Sequence, residues 1–240
     1  MQEYIYGVIL AGGQGTRMGN ADKPKQFLTV GEKPVIIHTI EKFIINSHFI
    51  EIVVLVPKSW LAYTKDIIRK YIRQHEKIVV VEGGTTRNET IMNAIQYIED
   101  CGRLTEDTII VTHDSVRPFV TYRIIEENIK FARNFGACDT VIPASDTIVE
   151  SRDGSFISNI PERKKMFQGQ TPQSFKAKHL RKIYQSLTDA ERAILTDACK
   201  IYVLKNEPVY LVEGEVSNIK ITYPHDLRVA EAILGGNQTC

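Results

Sequence analysis

The run Tyr4-Ile5-Tyr6-Gly7-Val8-Ile9-Leu10-Ala11-Gly12-Gly13-Gln14-Gly15-Thr16-Arg17-Met18, with Lys23-Pro24-Lys25-Gln26 just beyond it, decides how this chain is read. Apolar, strand-like residues open into glycines, and Arg17 and two lysines follow within a dozen positions. Glycines without a Cβ let backbone N–H groups close on an anion, and the cations neutralise a polyphosphate. The spacing is not that of a P-loop, which needs G-x-x-x-x-G-K-[ST]. Nor is it the dinucleotide fingerprint G-x-G-x-x-G, because Gly13, Gly15 and Gly19 are one residue too widely set. A plain glycine-rich turn followed by surface lysines is the competing reading, and Arg17 and Lys25 at this spacing weigh against it.

Working outward, the first 145 or so residues alternate strand and helix signals. Short β-branched runs predict strands over 5–10, 50–56, 78–81, 108–112 and 139–142. Apolar residues at three- and four-residue spacing predict helices over 35–45, 63–72, 90–98 and 124–135. Strands apolar on both faces and joined by helices imply a mainly parallel sheet covered on both sides, with ligands at the carboxyl ends of its strands. The glycine-rich loop, Gly83-Gly84 and His113-Asp114 all fall at such ends.

The pattern then changes. Segments 147–150 and 156–160 flank Arg152-Asp153-Gly154-Ser155, a hairpin signal with Asp-Gly at its turn. No helix is at hand to cover it, so it reads as a protruding arm, over about 146–165, that packs on a second copy of the chain. Beyond it the chain returns through 168–175, a basic helix over 177–186 and a helix around Asp197. Strands over 209–213 and 219–221 follow, and a last helix runs over 224–234. One domain, 1–240, with an arm inserted is the simplest organisation.

Composition narrows the function classes. The 240 residues are 43% hydrophobic and 25% charged, and 30 basic against 29 acidic residues leave a net charge of +1. No global field recruits nucleic acid or anionic lipid, so anion binding has to be local. No apolar run reaches the roughly 18 residues of a membrane span. The first strand starts almost at once, which leaves no room for a targeting segment. Cys101, Cys138, Cys199 and Cys240 are scattered without a C-x-x-C pair, so reduced thiols and a cytoplasmic location are expected.

Other clusters are ambiguous on their own. Asp114 in His113-Asp114-Ser115-Val116-Arg117-Pro118 suits a magnesium ion, or equally a turn cap paired with Arg117. Gly83-Gly84-Thr85-Thr86-Arg87-Asn88 permits close approach of a flat base, and is also a common way into a helix. Lys220 and Arg163 would each pass for surface cations.

Taken in order, Ala11 to Met18, Pro24-Lys25-Gln26-Phe27, Gly83 to Arg87, His113 to Pro118, Gln170-Thr171-Pro172-Gln173, Leu195-Thr196-Asp197 and Asn218-Ile219-Lys220 resemble the cytidylyltransferases that activate polyol phosphates with CTP. The resemblance spans nearly the whole chain. It implies an α/β fold: a Rossmann-like nucleotidyltransferase core with a mainly parallel sheet, dimerising through a β-arm. It implies CTP as substrate, magnesium as cofactor, a polyol phosphate as acceptor, and neither nucleic acid nor membrane as partner.

By the same resemblance Arg17, Lys25 and Lys220 are catalytic. Ala11, Gly12, Gly13, Gly15, Thr16, Gly84, Thr85, Arg87, Thr90 and Ser115 bind the nucleotide. Asp114 holds the metal, Arg117 supports its loop, and Thr147 and Arg163 bind the acceptor across a dimer. Within the family, Ser115-Val116 and the runs 145–151 and 195–201 look more like the branch that uses D-ribitol 5-phosphate for teichoic acid. The other branch uses 2-C-methyl-D-erythritol 4-phosphate for isoprenoids. A sugar-1-phosphate nucleotidyltransferase and a binding protein that has lost catalysis are rival classes. Retention of Arg17, Lys25, Asp114 and Lys220 argues against the latter.

Overall fold

A computed structural model describes residues 3–13, 23–73 and 75–236. Strand β1 (Ile5–Leu10) is buried along its whole length. It pairs in parallel with β4 (Glu51–Val56) on one side and β6 (Ile109–Asp114) on the other. Its side chains alternate between two cores, as a period of two requires. Ile5 and Ile9 pack with Ile36, Ile40 and Phe43 of helix α1 (Val35–Ile44), Ile67 of α2 (Leu61–Tyr71) and Ile124 of α4 (Tyr122–Phe135). Tyr6, Val8 and Leu10 face Ile91 and Ile95 of α3 (Arg87–Asp100), Leu180 of α5 (Ala177–Gln185) and Tyr202 of α7 (Cys199–Leu204). Gly7 is required by packing, since a Cβ there would stand 2.9 Å from Cδ1 of Phe43.

The sheet has seven strands in the order β5-β4-β1-β6-β8-β7-β9, with β5 (Ile78–Glu82) and β9 (Tyr210–Glu213) at its edges. It is parallel except for β8 (Phe167–Lys176), which runs antiparallel between β6 and β7 (Ala137–Pro143). Pro172 lies inside β8 and brings no N–H to the ladder. Opposite it β7 shifts register between Asp139 and Val141, and the Thr140 hydroxyl donates to the Pro172 carbonyl at 2.7 Å. A small ribbon, β2 (Thr29–Val30) with β3 (Lys33–Pro34), precedes α1. Helices α6 (Asp189–Ala193) and α8 (Pro224–Gly236) complete the chain. No described helix is long and apolar enough to cross a membrane.

Two expectations need correction. Residues 219–221 are not a strand. This stretch is held by an N–H···O bond from Ile221 to Val116, and Ile221 packs with Val30, Val35, Val116 and Ala230. The segment 147–160 does turn at Gly154, where φ is +76°, but its only strand-like pairing is one bridge between Glu150 and Asn159. Ile148, Val149, Phe156, Ile157 and Ile160 are exposed there, and an unpacked apolar ribbon gains nothing from forming a long ladder.

Candidate active site

The carboxyl ends of β1, β5 and β6 open onto a cavity of about 390 Å³. Its walls include Gly12 and Gly13 after β1, Lys25, the Gly84–Thr90 turn into α3, Asp114 to Val116 after β6, and Lys220. The side-chain amide of Gln26 donates to the Ala11 carbonyl at 2.8 Å, which ties the residues after β1 to the turn carrying Lys25. Lys25 is buried and its Nζ donates to the Ile221 carbonyl at 2.9 Å. Gln14, Gly15, Thr16 and Arg17 lie outside the described residues.

The turn into α3 is built by a capping box. Thr86 accepts from the Glu89 N–H, and the Glu89 carboxylate accepts from the Thr86 N–H and from both N–H and hydroxyl of Thr85. The Thr90 hydroxyl accepts from the Gly84 N–H at 3.0 Å and donates to the Thr86 carbonyl at 2.8 Å. Thr85 and Thr90 therefore shape the turn through bonds they make within it. The positive end of the α3 dipole stands at the cavity wall.

Asp114 is the electrostatic centre. Arg87 Nη1 lies 2.5 Å from its Oδ1, Lys220 Nζ lies 2.8 Å from its Oδ2, and Arg117 Nε lies 3.7 Å from Oδ2. Burial alone would raise this carboxyl, but Arg87, Lys220 and Arg117 outweigh it and hold the group well below the usual carboxylate range. With Lys25, four cations among the described residues line or adjoin a cavity on whose wall those residues place one acid, so the site has a positive excess suited to a polyphosphate.

Arg117 also donates to the Asn218 carbonyl at 2.7 Å, which ties the loop after β6 to the stretch that carries Lys220. A second ring, to which the sequence assigned no role, braces the same loop. The Thr171 hydroxyl accepts from the Asp114 N–H at 3.1 Å and faces His113 Nδ1 at 3.0 Å, while His113 Nε2 meets the Arg117 carbonyl at 3.0 Å. Burial lowers the His113 pKa to about 4, so the ring is neutral: it donates from Nε2 and accepts at Nδ1. Asn218, buried, donates to Gln170 and to the Thr171 carbonyl. Their signal was their place in the quoted motifs; spacing alone could not separate them from strand filler.

Thr147 and Arg163 are not brought to the cavity of their own chain. Both are exposed on the arm, where Arg163 Nη1 donates to the Ser145 carbonyl at 3.2 Å.

A βα-layered sheet with a glycine loop, a helix N-terminus and a cluster of cations at its carboxyl edge defines a nucleotidyltransferase of the α/β class. The chain belongs to the family described as IspD: 2-C-methyl-D-erythritol 4-phosphate cytidylyltransferase, whose model matches residues 5–236. It is thus a CTP-dependent cytidylyltransferase by family. A 4-diphosphocytidyl-2C-methyl-D-erythritol synthase from Anaerococcus prevotii is 28% identical, with 97% of this chain and 96% of that one covered and a TM-score of 0.77. The 2-C-methyl-D-erythritol 4-phosphate cytidylyltransferase of Francisella tularensis is 26% identical over 95% and 99% of the two chains, with a TM-score of 0.78. That of Thermus thermophilus is 27% identical over 94% and 97%, with a TM-score of 0.69.

Proposed function

We propose that the chain transfers a cytidylyl group from CTP to a polyol phosphate and releases pyrophosphate. The observation that carries this reading is the set Arg87, Arg117 and Lys220 gathered about Asp114, with Lys25 on the wall of the same cavity, at the mouth of the sheet. A phosphate oxygen of the acceptor attacks the α-phosphorus in line. That nucleophile is already anionic, so no general base is needed, and catalysis rests on positioning and on stabilising charge. Lys25, Lys220 and Arg17 take the charge of the triphosphate and of the transferring group. Gly12, Gly13, Gly84, Thr85, Arg87, Thr90 and Ser115, with Ala11, Gly15 and Thr16, enclose the nucleotide.

Among the described residues Asp114 is the only acid on the cavity wall, and no group of three or more metal-ligating side chains occurs among them. That donor set fits a magnesium ion that draws most of its oxygens from the triphosphate. Asp114 would hold it, and bound there it would offset repulsion between phosphate oxygens.

Two acceptors have support. The names of the family and of the solved relatives favour 2-C-methyl-D-erythritol 4-phosphate over the D-ribitol 5-phosphate expected from the sequence. D-ribitol 5-phosphate is the second reading. It rests on Ser115-Val116 and on the runs 145–151 and 195–201, and identities of 26–28% carry a fold and a nucleotide site more firmly than an acceptor. Kinetics with both acceptors at equal CTP test the pair: a higher kcat/KM for one selects it. The apolar, exposed arm and the distance of Thr147 and Arg163 from their own cavity support a homodimer in which the arm of one protomer serves the site of its partner.

A further inference from the structure

Behind the cavity wall lies a polar cluster that the transfer mechanism does not use. Gln173 of β8 is buried, and its amide nitrogen donates to Asp139 Oδ1 at 3.1 Å and to Asp197 Oδ2 at 3.4 Å. Its amide oxygen accepts from Arg87 Nη2 at 3.3 Å, on the same guanidinium whose Nη1 reaches Asp114. A glutamine side chain offers two donors at one end and an acceptor at the other, so what it meets at one end decides what it presents at the other. Two carboxylates facing the nitrogen keep the oxygen toward Arg87. We propose that Asp139 and Asp197 lock the orientation of the Gln173 amide and thereby position Arg87 for the nucleotide, which makes Asp139 and Gln173 positioning residues of the reaction.

The inference rests on the cytidylyltransferase reading of the site. The groups facing Asp139 are Gln173 from β8, Asp197 and the Cys199 thiol from the start of α7, and the Arg87 and Arg117 guanidiniums from α3 and the loop after β6. Burial raises the Asp139 carboxyl; the bond from Gln173 opposes this, the charge of Asp197 adds to it, and the net value is about 7. Once protonated, Asp139 can donate to the amide oxygen. The amide is then free to turn and present its N–H groups to a cation, which repels Arg87. The lock thus loosens as pH falls through neutrality.

The test compares wild type with Asp139→Asn and Gln173→Met, by pyrophosphate release with CTP, magnesium and saturating 2-C-methyl-D-erythritol 4-phosphate or D-ribitol 5-phosphate, whichever the wild type turns over, from pH 6 to 8.5. Wild-type turnover first establishes the underlying reading, and a silent wild type defeats that reading rather than this one. At pH 8.5 each variant is expected to lose on the order of 10- to 100-fold in kcat/KM for CTP. The ratio of wild type to Asp139→Asn should shrink toward pH 6, which cancels titration of the substrates. The double variant should be no worse than the poorer single one, as expected of residues acting through one contact. A ratio that is constant with pH, or losses that multiply in the double variant, overturns the proposal. Should Asp139→Asn fail to fold, Gln173→Met decides through the same profile: a loss at pH 8.5 that shrinks toward pH 6 supports the proposal, and full activity or a loss constant with pH overturns it.

Discussion

Replacing Gly84 by alanine tests whether the turn into α3 is held as tightly as the geometry says. A Cβ at this position would run into the Glu89 Cβ and stand 2.8 Å from the Glu89 carbonyl carbon and 2.9 Å from the Thr90 nitrogen. Two of these are backbone atoms, so no rotamer change relieves them. Carbon atoms at ease sit roughly 3.5–4.0 Å apart, so the first turn of α3 must move by about 1 Å. Such overpacking costs about 1–3 kcal/mol of stability. The moved turn carries Thr85, Thr86, Arg87 and Thr90, all on the cavity wall, and a shift of about 1 Å lowers turnover by on the order of 10²-fold. CTP affinity by calorimetry and pyrophosphate release measure the two consequences, and denaturant titration measures the stability. Gly235→Ala is the control, since a Cβ there meets nothing within 4 Å. A Gly84→Ala protein that binds CTP and turns over like wild type would refute the argument that this turn is fixed by close backbone packing.

Removing the Arg117 guanidinium with Arg117→Met should destabilise the fold by about 1–3 kcal/mol, because it leaves the Asn218 carbonyl without its donor while Asp114 keeps Arg87 and Lys220; chemical denaturation reads the change. His113 is buried neutral, with its pKa lowered to about 4, while the unfolded chain protonates near the ordinary value of 6.5. Its contribution is therefore whole above about pH 6.5 and shrinks as pH falls to about 4, by about 3 kcal/mol in all, so the stability gap between wild type and His113→Gln should narrow over that window. Excising residues 148–160 of the arm should give a folded monomer by analytical ultracentrifugation with little turnover; a monomer that keeps its activity would contradict the shared site.

Much of the fold was legible because the strands nearest the centre are apolar on both faces. Residues 5–10 form a strand with the bounds expected, and the helix over 35–45 differs from α1 by one residue. Strand β8 was not legible as a strand. Of its buried residues 170–175, the first five, Gln170-Thr171-Pro172-Gln173-Ser174, are polar but for a proline, the reverse of what marks a central strand. The stretch is buried because its polar groups are satisfied sideways, by Thr112, Asn128, Thr140 and Asn218. The site was legible as motifs but not as geometry. Arg87, Asp114 and Lys220 are far apart in the chain, and no periodicity reports that they converge. The short 219–221 run failed as a strand for a related reason: Ile221 serves a loop that packs against Val116 rather than a sheet.

The most direct test of the account is pyrophosphate release by the purified full chain with CTP and magnesium, with and without each of the two polyol phosphates. The account predicts release that needs both CTP and one polyol phosphate, at a rate well above that with UTP or GTP. A folded protein that binds CTP yet releases no pyrophosphate with either acceptor would contradict it.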